Sequence, residues 1–385
     1  MLVQVTLTGQ TSASRRLFSM RILFTNTTLV HRTGSELYTV ELARALAARG
    51  HDPIVYSPVL GALAGELAAS GVPAVNDLAA VAAPDVIHGH HHAQTLTALL
   101  AFPGVPGLFV CHGTEPWEEA PPSFPRLLRY VAVDVPSAKR LTAAGVPAER
   151  VETILNFVDL DRFRPRAVLP RRPAKALVLS NNAHAGTHLP AVEAACAAAG
   201  VALDVAGIAS GRIAACPEKL LPEYDLVFAK GRAALEALAV GAAVVLCDAA
   251  GCGPLVTSGD FARLRPLNFG YHSFAGPVSA AALGAEMARY DPVDAARVSA
   301  RIRQEAGLDA VVDRYLDLYA RIVAEQRTRS GADAGEEESR AAARYLRWLD
   351  PFLKERNQAL IDREALWQRV RVLEEELARL AKETR

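Results

Sequence analysis

Two α/β domains, each built on a parallel sheet, followed by a helical tail: three features of this 385-residue sequence predict that architecture. From Met20 onward, short apolar runs alternate with amphipathic helical runs, the pattern of repeated βα units. That pattern breaks once, at the Pro- and Arg-rich "FVDLDRFRPRAVLPRRP", and then resumes, as it would between two domains. The length also exceeds what one ordinary core sustains, and 51% hydrophobic residues are enough to fill two.

Each element follows from its local pattern. "RILFTN" (21–26) reads as the first strand. The loop "TTLVHRTGS" then leads into the helix "ELYTVELARALAARG", with Leu37, Val40, Leu42 and Leu46 near helical spacing and Gly50 as its C-cap. "PIVYSP", "DVIHGH", "GLFVCHG", "YVAVD" and "VETILN" continue the first domain as strands bounded by turn residues. After the break come the strand "ALVLSN", a helix near 189–199, and the strands "ALDVAG", "LVFA" and "AAVVLCD". A short helix from Ala233 to Val240 precedes the last of these, and "LDAVVDRYLDLYARIV" is a closing amphipathic helix.

These limits divide the chain into a disordered extension (1–19), a first domain (20–160), a linker (161–173) and a second domain (174–307). A closing helix (308–326), a flexible linker (327–340) and a coiled-coil helix (341–385) follow. Leu366, Val370, Leu373, Leu377 and Leu380 repeat at 4-3-4-3, the seam of a coiled coil that would join a second copy or a partner helix. The alternative is a single helix folded back on the body. "SRRLF" (14–18) resembles a twin-arginine export signal, but the apolar region and cleavage site that should follow do not; Met20 is an alternative start.

Composition excludes several classes. A formal charge of +0 offers nothing to nucleic acid or an anionic bilayer, and no run of about 18 apolar residues marks a membrane span. Five cysteines without metal-ligand spacing read as reduced and buried, as in a cytoplasmic protein. No Walker loop, Gly-x-Ser-x-Gly elbow or His-Glu-x-x-His occurs, and no G-x-G-x-x-G follows the first strand, which argues against a dinucleotide cofactor. "HGHHH" (88–92) invites a metal, but side chains of a strand alternate faces, so only two of its histidines converge. No metal or other cofactor is expected.

The candidate site lies where strands end and the two sheets face each other. Gly231, just before a helix, lets backbone approach a phosphate, and Lys230 or Arg232 adds charge. Glu236, alone in an apolar helix, is placed to accept ribose hydroxyls; a solvent-facing carboxylate is the plainer alternative. Gly34 opens another helix N-terminus, where the plainer reading is an ordinary N-cap by Thr33 or Ser35. His112 ends an apolar run and is placed to donate to a sugar hydroxyl or a phosphate.

Taken together, "MRILF", "TGSELYTVELARALAARGHDPIVYSP", "DVIHGHH", "VCHG", "ILNFVDLDRF" and "ALEALAVGAAVV" resemble, in order, the retaining glycosyltransferases of family 4, over roughly residues 20–325. The resemblance implies the GT-B fold of two Rossmann-like domains, a nucleotide-sugar donor, and a glycan or lipid-linked acceptor, as in polysaccharide biosynthesis. It also places Gly34 against phosphate or acceptor, His112 beside the transferred sugar as the catalytic residue, and Glu236 on the ribose. Lys230, Gly231 and Arg232 would serve the diphosphate. Two positions depart from the family pattern. Phe228 stands where a first glutamate is usual, and no Lys or Arg lies between Lys175 and Arg212, where the family places a diphosphate-binding pair. The alternative function is a GT-B protein without catalysis that binds sugar nucleotide or glycan and assembles through its coiled coil.

Overall fold

In the computed structural model, which describes residues 19–329 and 334–383, seven parallel strands build the first sheet. These are β1 (Arg21–Thr25), β2 (Asp52–Tyr56), β3 (Ala74–Val75), β4 (Val86–His90), β5 (Gly107–Cys111), β6 (Leu127–Ala132) and β7 (Val151–Thr153). Their order is β3-β2-β1-β4-β5-β6-β7, so the chain winds outward from β1 in both directions. β1, β4 and β5 are almost wholly buried because helices cover both faces: α1 (Gly34–Ala48), α2 (Ala62–Ala69), α3 (His92–Ala101) and α4 (Val135–Ala143). Continuous apolar runs suit such strands, and the sequence has them.

The second sheet has five strands in the order β12-β11-β10-β8-β9. They are β8 (Lys175–Leu179), β9 (Ala202–Ala206), β10 (Leu226–Ala229), β11 (Ala243–Asp248) and the antiparallel edge strand β12 (Gly251–Leu255). Around it lie α5 (Leu189–Ala199), α6 (Pro217–Leu220), α7 (Gly231–Val240), α8 (Phe261–Leu264), α9 (Ala280–Met287) and α10 (Pro292–Glu305). β3 and β12 escaped sequence reading: the first has two residues, and the second, "GCGPL", has the glycine and proline of a turn.

Segment 161–173 has no regular structure, yet it is packed: Phe163 and Leu169 are buried in the second domain, and Arg166 pairs with Asp225 at 2.8 Å. Helix α11 (Leu308–Thr328) then crosses back. Val311, Val312, Tyr315, Leu318, Tyr319 and Ile322 belong to the core of the first domain, not the second.

The flexible linker expected over 327–340 is corrected: α11 runs to Thr328, and a new helix, α12 (Ala334–Glu383), is already formed at Ala334. Its first turns bind the first domain. Arg126 is buried and donates to Glu338 (2.6 Å), while Ala341 is buried beside Tyr345 in the same cluster. Tyr345 OH lies 2.7 Å from His92 Nδ1, and Phe352 stacks on Trp117 at 6.0 Å. The first part of α12 is thus folded back on the body, the alternative weighed for the tail, and its second part is exposed. Residues 1–18, most of the expected extension, lie outside the described residues, as do 330–333. The five cysteines are free thiols, but Cys216 is exposed rather than buried.

Candidate functional site: a cleft with one neutral and one ionic wall

Parallel strands direct their carboxyl ends to one side, and the loops leaving β1, β4, β5, β10 and β11 place their polar residues between the domains. Contacts across this line are direct. Thr114 bonds the Tyr271 hydroxyl, Asn268 donates to the Val133 carbonyl, and Arg265 donates to the Asn156 carbonyl at 2.7 Å.

The first domain supplies a wall of aromatic and imidazole rings. His88 and His90, two residues apart on β4, share one face and stack at 4.8 Å. His112, following β5, stacks on His90 at 4.8 Å, with its Nε2 2.6 Å from His90 Nδ1. His88 Nδ1 in turn meets the Tyr319 hydroxyl at 2.5 Å, and Tyr38 packs edge-on against His112 at 4.9 Å. Burial pushes His112 down to about 3, with help from His91 and Arg232, and pushes His88 and His90 well below the usual range. These rings are neutral at physiological pH, so each carries one donor and one acceptor.

Beneath them, Glu119 accepts the His112 backbone N–H at 2.8 Å. Burial raises this carboxyl to about 7 despite that bond and the nearby Arg140. His91 lies 3.6 Å from Glu119 yet is lowered to about 4 by burial, so the contact is a polar one between largely neutral groups, not an ion pair. His92, at the start of α3, sits apart from the stack, in an aromatic cluster with Trp117, Tyr345 and Trp348. Among the described residues no group of three or more His, Cys, Asp or Glu is placed to hold a metal ion.

The second domain supplies charges. α7 begins at Gly231, two residues before the expected Ala233, so Arg232 lies within the helix and Lys230 is its N-cap. Gly231 has φ +59, which glycine tolerates, and nothing lies within 4 Å of where a Cβ would be. Its own N–H is already bonded to the Phe269 carbonyl at 2.9 Å, so the open approach there is not also a free donor. Lys230 Nζ stands 3.2 Å from Asp248. Phe228, on β10, is fully buried in the core and contributes nothing to the cleft.

Arg232 is the centre of this wall. Its Nη2 donates to Glu41 of α1 at 2.6 Å and to Glu236 at 3.3 Å, and its guanidinium lies over the Phe157 ring at 5.6 Å, while Nε and Nη1 are buried without a hydrogen-bond partner among the described residues. Arg162 also binds Glu41, at 3.0 Å, and Glu218, at 2.9 Å, extending the cluster across both domains. Glu236 is buried rather than solvent-facing, and it lies within the cluster. Burial raises its carboxyl to about 7, Arg232 opposes that, and Glu41 reinforces it.

Gly34 opens α1, and its N-cap, Thr33, makes no bond from its side chain to the helix backbone; its hydroxyl is bonded to the Glu36 carboxylate instead. An ordinary side-chain cap by Thr33, the plainer expectation, is therefore absent. The cleft thus brings His112, Lys230, Gly231, Arg232 and Glu236 to one region of the molecule. Sequence reading missed Glu41, Glu119 and Arg162. Glu41 carried the same signal that marked Glu236, a lone carboxylate on the apolar face of a helix. Glu119 carried none, since it lies in a polar loop beside Glu118.

Residues 32–162 match the family model for Glycosyltransferase Family 4. The chain also shares its fold with a glycosyltransferase from Rickettsia africae (TM-score 0.60, 16% identity, covering 79% of this chain and 99% of that one). It likewise matches the Anabaena protein HepE crystallised with UDP and glucose (TM-score 0.58, 15% identity, 78% of this chain and 99% of that one). No curated protein matches the chain. Its class is therefore a glycosyltransferase of GT-B fold, and the first domain is family 4-like over the matched residues. No helix among the described residues is long and apolar enough to cross a membrane.

Proposed function

We propose that this protein transfers a glycosyl group from a nucleoside-diphosphate sugar to a hydroxyl of a glycan or lipid-linked acceptor, with retention of anomeric configuration. One observation carries the reading: the buried guanidinium of Arg232, at the junction of the domains, has two nitrogens, Nε and Nη1, without a hydrogen-bond partner among the described residues. Unsatisfied buried donors are costly, and a diphosphate oxygen would satisfy them. Lys230 adds charge at the N-terminus of α7, and together they compensate for the cations missing between Lys175 and Arg212.

In the reaction, the acceptor oxygen forms its bond to the anomeric carbon on the face from which the phosphate departs. The bond from that carbon to the phosphate oxygen breaks, and the leaving phosphate takes the acceptor proton. No protein nucleophile is required. The protein's task is to stabilise charge growing on the diphosphate, which Arg232 and Lys230 do, while neutral His112 holds a sugar hydroxyl. Glu236 binds the ribose once the diphosphate draws Arg232 toward itself, and the N-terminus of α1 at Gly34 faces phosphate or acceptor.

HepE, whose fold the chain shares, was crystallised with UDP-glucose, so UDP-glucose heads the donors to test. A thermal-shift panel of UDP, GDP, ADP, CMP and their sugar conjugates is the experiment. A ligand at about 100 times its Kd adds roughly 2.7 kcal/mol of stability. The expected result is a rise in Tm with one nucleotide class, lost in Glu236→Ala. No rise with any conjugate would overturn the donor assignment and leave a protein that kept the fold without the chemistry.

A further inference from the structure

Helix α12 changes character midway. In its first part Ala341, Tyr345, Trp348 and Phe352 rest on the first domain; beyond Phe352, from 353 to 381, every residue except Leu360 is exposed. At about 1.5 Å per residue, this exposed half is a rod of roughly 40 Å. Along it Leu366, Val370, Leu373 and Leu377 are 66%, 41%, 44% and 66% exposed, a continuous apolar seam that the rest of the described residues leave open. A seam of this kind in water is an interaction surface.

We propose that residues 359–383 form a parallel two-stranded coiled coil with a second copy of this chain. The spacing places Leu366 and Leu373 at d, Val370 and Leu377 at a. A β-branched residue at a with leucine at d favours two strands. Parallel pairing sets Arg369, at g, against Glu374 of the second copy, at e, once on each side of the seam. Arg363 takes an a position and meets Asp362 of the second copy at the preceding g, a polar layer that fixes register. Only one seam residue of each chain is needed at each layer, so identical helices are self-complementary.

Charge decides against a bilayer as the occupant. Residues 353–381 carry six basic and six acidic side chains, without the cationic excess that draws an amphipathic helix to anionic lipid. The docked half also settles the boundary. Tyr345 and Phe352, which share the same heptad frame, are engaged by His92 and Trp117, so pairing starts beyond them.

The test is the mass of the full chain by light scattering coupled to size exclusion, at roughly tens of micromolar. The expected mass is that of two chains, falling to one in Val370→Asp/Leu377→Asp while the thermal transition of the two α/β domains stays in place and only helical signal from the freed segment is lost. Arg369→Glu should weaken self-association at least tenfold, and adding Glu374→Arg should restore it. Orientation is read from Leu373→Cys in a Cys216→Ser background: parallel pairing gives a disulfide-linked dimer between identical positions. A one-chain mass for the unmodified protein overturns the proposal, and so does a dimer that survives the double aspartate. Cosedimentation with phosphatidylcholine/phosphatidylserine vesicles by a single-chain species would assign the seam to lipid instead, and would equally overturn it.

Discussion

The two walls of the cleft solve the same problem, polar groups buried at a domain junction, by opposite means. The first domain buries imidazoles and phenols that burial keeps neutral, and it joins them ring to ring. The second buries full charges and balances them with partners, one of which, Glu41, belongs to the opposite domain. Neutral groups can form a fixed scaffold on their own, since an imidazole nitrogen left without a hydrogen bond, as Nε2 of His88 and of His90 is among the described residues, costs far less than an unpaired charge. Charges cannot, and so the ionic wall depends on the closeness of the two domains.

Substitutions should separate the walls by size of effect. Arg232→Ala leaves Glu41 and Glu236 facing each other in a buried site. Removing one member of such a pair costs about 3–5 kcal/mol of stability. On the proposed mechanism it also lowers turnover about 10²–10³-fold. Chemical denaturation and initial rates measure both, and a full-rate Arg232→Ala enzyme would sink the role given to this residue.

The next effect is a difference in pH dependence. In the first domain, His91 and His112 of the neutral wall and the more distant His92 sit at about 4, 3 and 4 when folded, below the usual value for free histidine. The unfolded chain therefore takes up their protons first, and stability falls as pH drops from about 6.5 toward 4, by about 1.4 kcal/mol per pH unit for each group. On the ionic wall Glu236 behaves oppositely. Its folded value, about 7, exceeds the unfolded one, so stability falls as pH rises from about 4.5 to 7. Glu236→Gln removes that opposing slope, and unfolding free energies between pH 5 and 7 should then climb more steeply with pH than in the unmodified protein. An unchanged slope would mean that Arg232 holds Glu236 ionised throughout.

The smallest effect falls on the neutral wall. His112→Ala deletes one neutral hydrogen bond to substrate, about 0.5–1.5 kcal/mol, and so no more than roughly a tenfold loss in kcat/KM. A loss as large as that of Arg232→Ala would show that the imidazole meets developing charge, and the contrast between the walls would fail.

How much of this was legible before the structure depends on which wall is considered. The parallel strands, their order along the chain and the position of His112 followed from apolar runs ending in turn residues. The convergence of His88 and His90 followed from the two-residue period of β4. Glu236 was visible because a carboxylate in an apolar helix demands a reason, but its partner was not. Arg232 could be placed near the cleft by its neighbour Gly231, whereas its pairing with Glu41 spans 191 residues and depends on how the domains meet. Local pattern also misplaced the start of α7 by two residues, because a glycine at positive φ looks like loop although here it opens the helix. The return of α11 to the first domain had no local signal at all, since amphipathicity says that a face is buried but not against which core.

That return shapes how the cleft can move. The polypeptide passes from the first domain to the second near Val158 and comes back at Gly307, and the two passages touch in a parallel bridge. Two strands of chain fastened side by side act as a door hinge with a single pin. The second domain can swing about that line, but twisting or sliding would tear Val158 from Gly307. Opening would therefore follow one path. Arg232, whose guanidinium lies at 5.6 Å over the ring of Phe157, one residue from the pin, stands close to that line, so its pair with Glu41 would move little while the cleft widens away from it.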